Sequence, residues 1–216
     1  MTTKANYGRV LGGLIALWFV AALTASALHV FSRHPERPPL AMLAAVVTPI
    51  GIFTAWYLRS RSFQEYVLSL NPRTLTIVHS WRLAGFVFLV LSTYRILPEI
   101  FALPAGWGDI AIGATAVPVA MWLARPGHKA SFIVWQVLGV TDLVAAISLG
   151  ATARFIDPQG VAGISTAPMT LLPLSLIPNF AVPLLLILHG ICIAQARRWK
   201  SEEREVRADM ERLPAI

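Results

Sequence analysis

The 216-residue chain is 56% hydrophobic and 13% charged, with a mean hydropathy of +0.64 and a single cysteine, Cys192. That composition excludes a soluble catalytic domain, and one cysteine excludes an intramolecular disulfide or a cysteine-built metal centre. A net charge of +7 would suit nucleic acid in a soluble protein; here the basic residues stand beside apolar segments, where they hold orientation and meet anionic lipid, so no nucleic-acid partner is expected.

Six apolar stretches follow one another, over residues 8–30, 40–58, 75–97, 106–123, 130–149 and 169–193. Each approaches the ~20 residues that carry a helix across ~30 Å of hydrocarbon. The first follows Lys4 and Arg9 and runs through Ala25-Ser26-Ala27, which imitates a secretory signal with a small-residue cleavage site. The apolar run continues to Val30, and the charge distribution favours six spans, so it is retained as a span. The second holds Pro49 and is followed by a loop over 59–74. On the third, His79 and Arg82 stand three residues apart and share a face, while Arg95 and Glu99 lie around its end. The fourth opens on Gly-Trp-Gly-Asp, with Trp107 read as an interfacial anchor and Asp109 as a complement to the helix dipole, and it contains Pro118. The fifth carries Asp142 without a Lys or Arg neighbour on its own helix. A Gly- and Pro-containing loop over 151–167 reads as a lid, and the sixth span contains Pro178, Asn179, Pro183 and His189.

Lipid leaves no water for unpaired backbone groups, so the fold class is all-α: a polytopic bundle of six transmembrane helices. Prolines inside the even-numbered spans predict kinks there. Residues 1–196 form the transmembrane domain. The tail 197–216 interleaves acidic and basic residues, Glu203 before Arg207 among them, and reads as a solvated helical extension that frays at Pro214. Lys4, Arg9, Arg59, Arg61, Arg73, Arg125, Lys129, Arg197, Arg198 and Lys200 fall on one side, against Arg33, Arg37 and Arg154 in the opposite loops. The positive-inside bias then places both termini in the cytoplasm. Tyr7, Trp56, Tyr57, Trp122 and Trp199 are expected at the inner interface, Tyr94 and Trp107 at the outer one.

Ionisable groups inside spans carry the functional expectation, because burying charge in hydrocarbon costs several kcal/mol unless it is paired or wet. Counted from the predicted span ends, His79, Arg82 and His189 lie toward the inner face. Asp109, Arg95 and Glu99 lie toward the outer face, with Asp142 and Asn179 deeper. Joined up, Arg82, Asp142, Asn179, Asp109, Glu99 and Arg95 make a ladder of polar stations, as transporters place in a bundle interior. The expected function is therefore the handling of a small molecule, an ion or protons, with Asp142 the residue most needed. Two alternatives stand beside it. His79 and His189 have the residue type and depth of axial ligands to a b-type haem, which implies a haem- or quinone-associated redox subunit. An accessory or scaffold subunit in a larger membrane complex, or a homo-oligomer, is the third reading. No phosphate loop, HExxH, histidine box or serine nucleophile in the fourth span points to an enzyme or a metal site.

The run LPAGWGD from Leu103 to Asp109, opening an apolar helix, and LPLSLIPNFAVPLLLILHG from Leu172 to Gly190 resemble segments of small polytopic inner-membrane proteins of bacteria, a family of uncharacterised role. The resemblance implies a bacterial cytoplasmic membrane and no particular activity.

Overall fold

The computed structural model describes residues 2–31, 40–156 and 164–211, with side chains over 6–31, 40–153 and 164–199. All regular structure among these residues is helical. In chain order come α1 (Thr2–Ala27), α2 (Leu40–Arg59), α3 (Arg61–Leu68), α4 (Pro72–Val78), a 3₁₀ segment (His79–Gly85), α5 (Phe86–Thr93), α6 (Glu99–Trp122), α7 (Lys129–Ile156), a π-helical turn (Ile177–Ala181) and α8 (Val182–Glu211). Six helical stretches are long and apolar enough to cross a membrane: Asn6–Ala27, Leu40–Arg59, Pro72–Thr93, Glu99–Trp122, Pro126–Ala153 and Ile177–Trp199.

The fourth and sixth stretches correct the expected boundaries. The fourth starts at Glu99, not at residue 106, because Pro98 at the N-cap needs no intrahelical partner and Pro104 is tolerated inside the first turns. Asp109 is therefore a mid-helix residue and does not complement an N-terminal dipole. The sixth starts at Ile177, not at residue 169. Pro168 and Pro173 cannot donate backbone hydrogen bonds, and Ala167–Thr170 forms a separate 3₁₀ turn. The expected lid over 151–167 is helical at its start, since α7 runs to Ile156; residues 157–163 lie outside the described residues. Arg33, Arg37, Pro214 and the side chains of Arg154, Glu203 and Arg207 lie outside them too.

The loop expected over 59–74 contains a short amphipathic helix. Ser60 caps α3 by accepting from the Phe63 N–H at 3.3 Å, and Asn71 caps α4 by accepting from the Arg73 N–H at 2.9 Å. Phe63 and Val67 turn inward and are fully buried. The Gln195 amide on α8 donates to the carbonyls of Val67, Leu68 and Leu70, at 2.8 Å for the last, satisfying groups that the end of α3 leaves free. Trp56 stacks on Phe63 with centroids 3.9 Å apart, and Tyr7 stacks on Tyr66 at 5.4 Å. Those aromatics are thus a packed knot joining α1, α2 and α3.

Lys129 donates to the Arg197 carbonyl at 3.0 Å, which puts the start of α7 and the exit of the sixth stretch at one end of the bundle, the basic end. Thr166 donates to the Gly150 carbonyl at 3.0 Å at the opposite end. Apolar clusters fill both halves. Phe132, Trp135, Cys192 and Ala196 pack toward the basic end, Phe88, Leu97 and Phe101 toward the other. Between them lies a polar layer.

Candidate functional site

The polar layer is assembled where α6 meets the third stretch. Ala102, Gly106, Asp109, Gly113, Ala116 and Ala120 recur at alternating intervals of four and three, so they share one face of α6. Every member of that face except Asp109 is small and buried. Small residues let helix backbones approach closely, as small-xxx-small faces do in membranes. At Gly113 the approach is so close that a Cβ would sit 2.9 Å from the Arg82 carbonyl carbon. The 3₁₀ geometry of His79–Gly85 eclipses residues three apart, so His79 and Arg82 project in one line from the same segment.

Arg82 stands at the centre, with 3% of its surface exposed. Its Nε donates to Asp109 Oδ1 at 2.6 Å, and its Nη2 donates to Asp142 Oδ2. Three helical stretches are thereby joined at mid-height. Asp109 lies ten residues along α6 from Glu99, about 15 Å from its start. The Asp142 carboxylate sits directly against Gly108, where any side chain would collide with it. A guanidinium held this way is committed to its two carboxylates and does not snorkel.

From Arg82 a directed chain of hydrogen bonds runs toward the basic end. Nη1 donates to the Gly139 carbonyl at 3.3 Å and faces His189 Nε2 at 3.5 Å. An arginine can only donate, so His189 Nε2 is the accepting nitrogen and its proton is on Nδ1. Nδ1 then donates to Gln136 Oε1 at 2.5 Å, and Gln136 Nε2 donates to Thr76 Oγ1 at 3.4 Å. Thr76 in turn donates to the Pro72 carbonyl at 2.8 Å. All donors point one way, and a carboxamide in the middle does not pass a proton along, so this chain braces the half of the bundle toward the basic end.

His79 stacks on His189 with ring centroids 3.8 Å apart and planes 24° apart. Both of its nitrogens are buried without a hydrogen-bond partner among the described residues. The two imidazoles do not fit haem ligation. Axial ligands point their nitrogens at an iron from opposite sides of a porphyrin, whereas these rings lie face to face at contact distance, and His189 spends its nitrogens on Arg82 and Gln136.

Of the residues singled out in the sequence, Arg82, Asp109, Asp142 and His189 come together, with His79 stacked alongside. Asn179 does not join them. It sits in the π-helical turn, donates to Ser26 on α1 at 2.9 Å, and faces a cleft among α1, α2 and α8. Arg95 and Glu99 are exposed at the end opposite the basic one, Arg95 with a positive φ of 56°. Gln136 went unnoticed in the sequence because an uncharged amide in an apolar run carries no charge signal. The small-residue face of α6, interrupted only by Asp109, was the sign that Asp109 meets another helix.

The family description "Domain of unknown function (DUF8737)" matches residues 38–197. The chain belongs to this family. The match takes in Arg82, Asp109, Asp142, His189 and Gln136 and leaves out α1, so the polar layer of this chain lies wholly within the matched residues. No curated protein and no solved structure matches the chain.

Proposed function

We propose that this DUF8737 protein is a multi-pass integral membrane protein of the bacterial cytoplasmic membrane, with both termini in the cytoplasm, that moves protons, or a small molecule together with them, through its interior. One observation carries the reading: a single buried guanidinium serves two carboxylates at mid-span. With both ionised, the layer holds one surplus negative charge, and among the described residues no second Lys or Arg reaches it. An unbalanced charge in low dielectric is expensive, so the second carboxylate takes up an exchangeable proton or a cation. Arg82 is the fixed counter-charge; Asp109 and Asp142 share the exchangeable one.

A static clamp would use one carboxylate per guanidinium, and removing either partner would leave the other charge buried alone at a cost of about 3–5 kcal/mol. Asp142→Asn separates the two roles. In proteoliposomes holding the full chain and a trapped pH dye, an imposed potassium diffusion potential is expected to drive proton uptake above that of protein-free vesicles. Asp142→Asn is expected to abolish the uptake while the unfolding temperature stays close to that of the parent. If Asp142 only clamps helices, the variant instead loses stability, and Arg82→Gln added to it restores part of the loss. Parent protein that takes up no more protons than protein-free vesicles would refute the transport reading and leave a subunit of a larger complex as the better account, whereas undiminished uptake by a folded Asp142→Asn protein would take the exchangeable charge away from Asp142.

A further inference from the structure

Above the polar layer, toward the end away from Arg59, lies a cavity of about 280 Å³. Its walls are apolar, formed by Phe88, Phe101, Leu143, Ile147 and Val182 from four of the six stretches. Thr152 and Met169 stand at its far end, where α7 runs toward the loop side. Among the described residues one charged side chain lines it, that of Asp109. The Asp109 side chain keeps 17% of its surface, its Oδ1 is committed to Arg82, and Oδ2 takes no hydrogen bond among the described residues.

An apolar chamber ending on one carboxylate with a free oxygen is selective on two counts. Its volume is about twice that of the ~150 Å³ engineered cavity that stays dry and takes up benzene, so it admits an aromatic ring or a short alkyl body. Its inner end carries the surplus negative charge of the Arg82–Asp109–Asp142 group, so it attracts a cation and repels an anion. We infer that this cavity binds a small amphipathic amine, with its apolar body among Phe88, Phe101 and Ile147 and its ammonium group donating to Asp109 Oδ2. The inference rests on the reading of the two aspartates as holders of exchangeable charge, and it names the cation that takes the proton's place. A bilayer lipid with an ammonium headgroup is a poorer occupant, because its phosphate would enter the same low-dielectric space as the two carboxylates. The arrangement also explains why the inner half is braced by the His189–Gln136–Thr76 chain: the ligand is held from one side only.

Three probes with one body and different heads test the proposal: 4-phenylbutylamine, 4-phenylbutanol and 4-phenylbutyrate, titrated into the detergent-purified full chain by calorimetry. The ammonium compound is expected to bind tighter than the alcohol by about tenfold or more, equivalent to ~1.4 kcal/mol, and the carboxylate to bind weakest. Asp109→Asn is expected to erase the preference for the amine over the alcohol while the alcohol still binds. Ala146→Phe, which fills the cavity from the α7 side, is expected to abolish binding of all three, with the unfolding temperature read in parallel to show that the variant is folded. Charge-blind binding, a preference for the carboxylate, or no binding of the amine by the parent protein would each overturn the proposal. Proton uptake without amine selectivity would sink this inference and leave the proposed function standing. Amine selectivity without proton uptake would do the reverse.

Discussion

Two histidines that share a stack have opposite accounts to settle with their surroundings. His189 uses both ring nitrogens, one accepting near Arg82 and one donating to Gln136, whereas both nitrogens of His79 are buried without a partner among the described residues. Removing a bonded polar group orphans its partners at about 1–3 kcal/mol each, while replacing an unpartnered one by an apolar group is nearly neutral or stabilising. His189→Leu is therefore expected to cost about 2 kcal/mol or more, and His79→Leu less than ~1 kcal/mol. Denaturant unfolding of the purified variants checks this, and the reverse order would mean that the bracing chain runs through His79. The sequence exposed both residues as intramembrane histidines at one depth. It did not separate a braced ring from an orphaned one, because that difference depends on Gln136, a residue 53 positions from His189.

The elements are held together by close approach more than by large side chains. Along α6 the face turned to the third stretch is Ala, Gly and one Asp, and the backbone of the 3₁₀ segment rests against Gly113. A methyl group placed there meets main chain, which cannot rotate out of the way, so Gly113→Ala is expected to destabilise by about 1–3 kcal/mol. Gly51 on α2 has open space where its Cβ would be, and Gly51→Ala is expected to be neutral or to stabilise by up to ~1 kcal/mol through helix propensity alone. Measuring both substitutions separates packing from propensity; equal effects would show that α6 and the 3₁₀ segment are not in contact. This seam also explains why depth counted along single helices misplaced Asp109. The count began at residue 106, whereas the helix begins at Glu99, so the carboxylate moved from the rim to the middle.

On the scale of the whole molecule, the bundle has unlike halves. One is closed by Phe132, Trp135, Cys192 and the His189–Gln136–Thr76 chain, and the other contains the cavity that ends on Asp109. Such asymmetry suits a protein whose central site is reached from one side at a time. The sidedness has its own test. A reporter fused after Ile216 and a second inserted between residues 158 and 159 are expected on opposite sides of the membrane, with the C-terminal one cytoplasmic. Both on one side would break the six-span arrangement and the orientation drawn from basic residues such as Arg59, Arg73, Arg125 and Lys129.

The six long apolar helices and the presence of charges within them were determined by the sequence alone, because helix length and hydropathy are local properties that a window of about 20 residues carries in full. The caps at Ser60 and Asn71 belong to a segment read from the sequence as a loop. Which charge meets which was decided only by tertiary structure. Arg82 finds partners 27 and 60 residues away, and that choice depends on how the helices are rotated and how near they come. The nearness is granted by Gly108 and Gly113, whose missing side chains are the space in which the Arg82 layer is built. A ladder of stations from Arg82 to Arg95 was the natural reading of one helix at a time. Packing instead gathers Arg82, Asp109 and Asp142 at one height and leaves Asn179, Glu99 and Arg95 elsewhere, because buried charges gain most by pairing directly in a medium that screens them poorly.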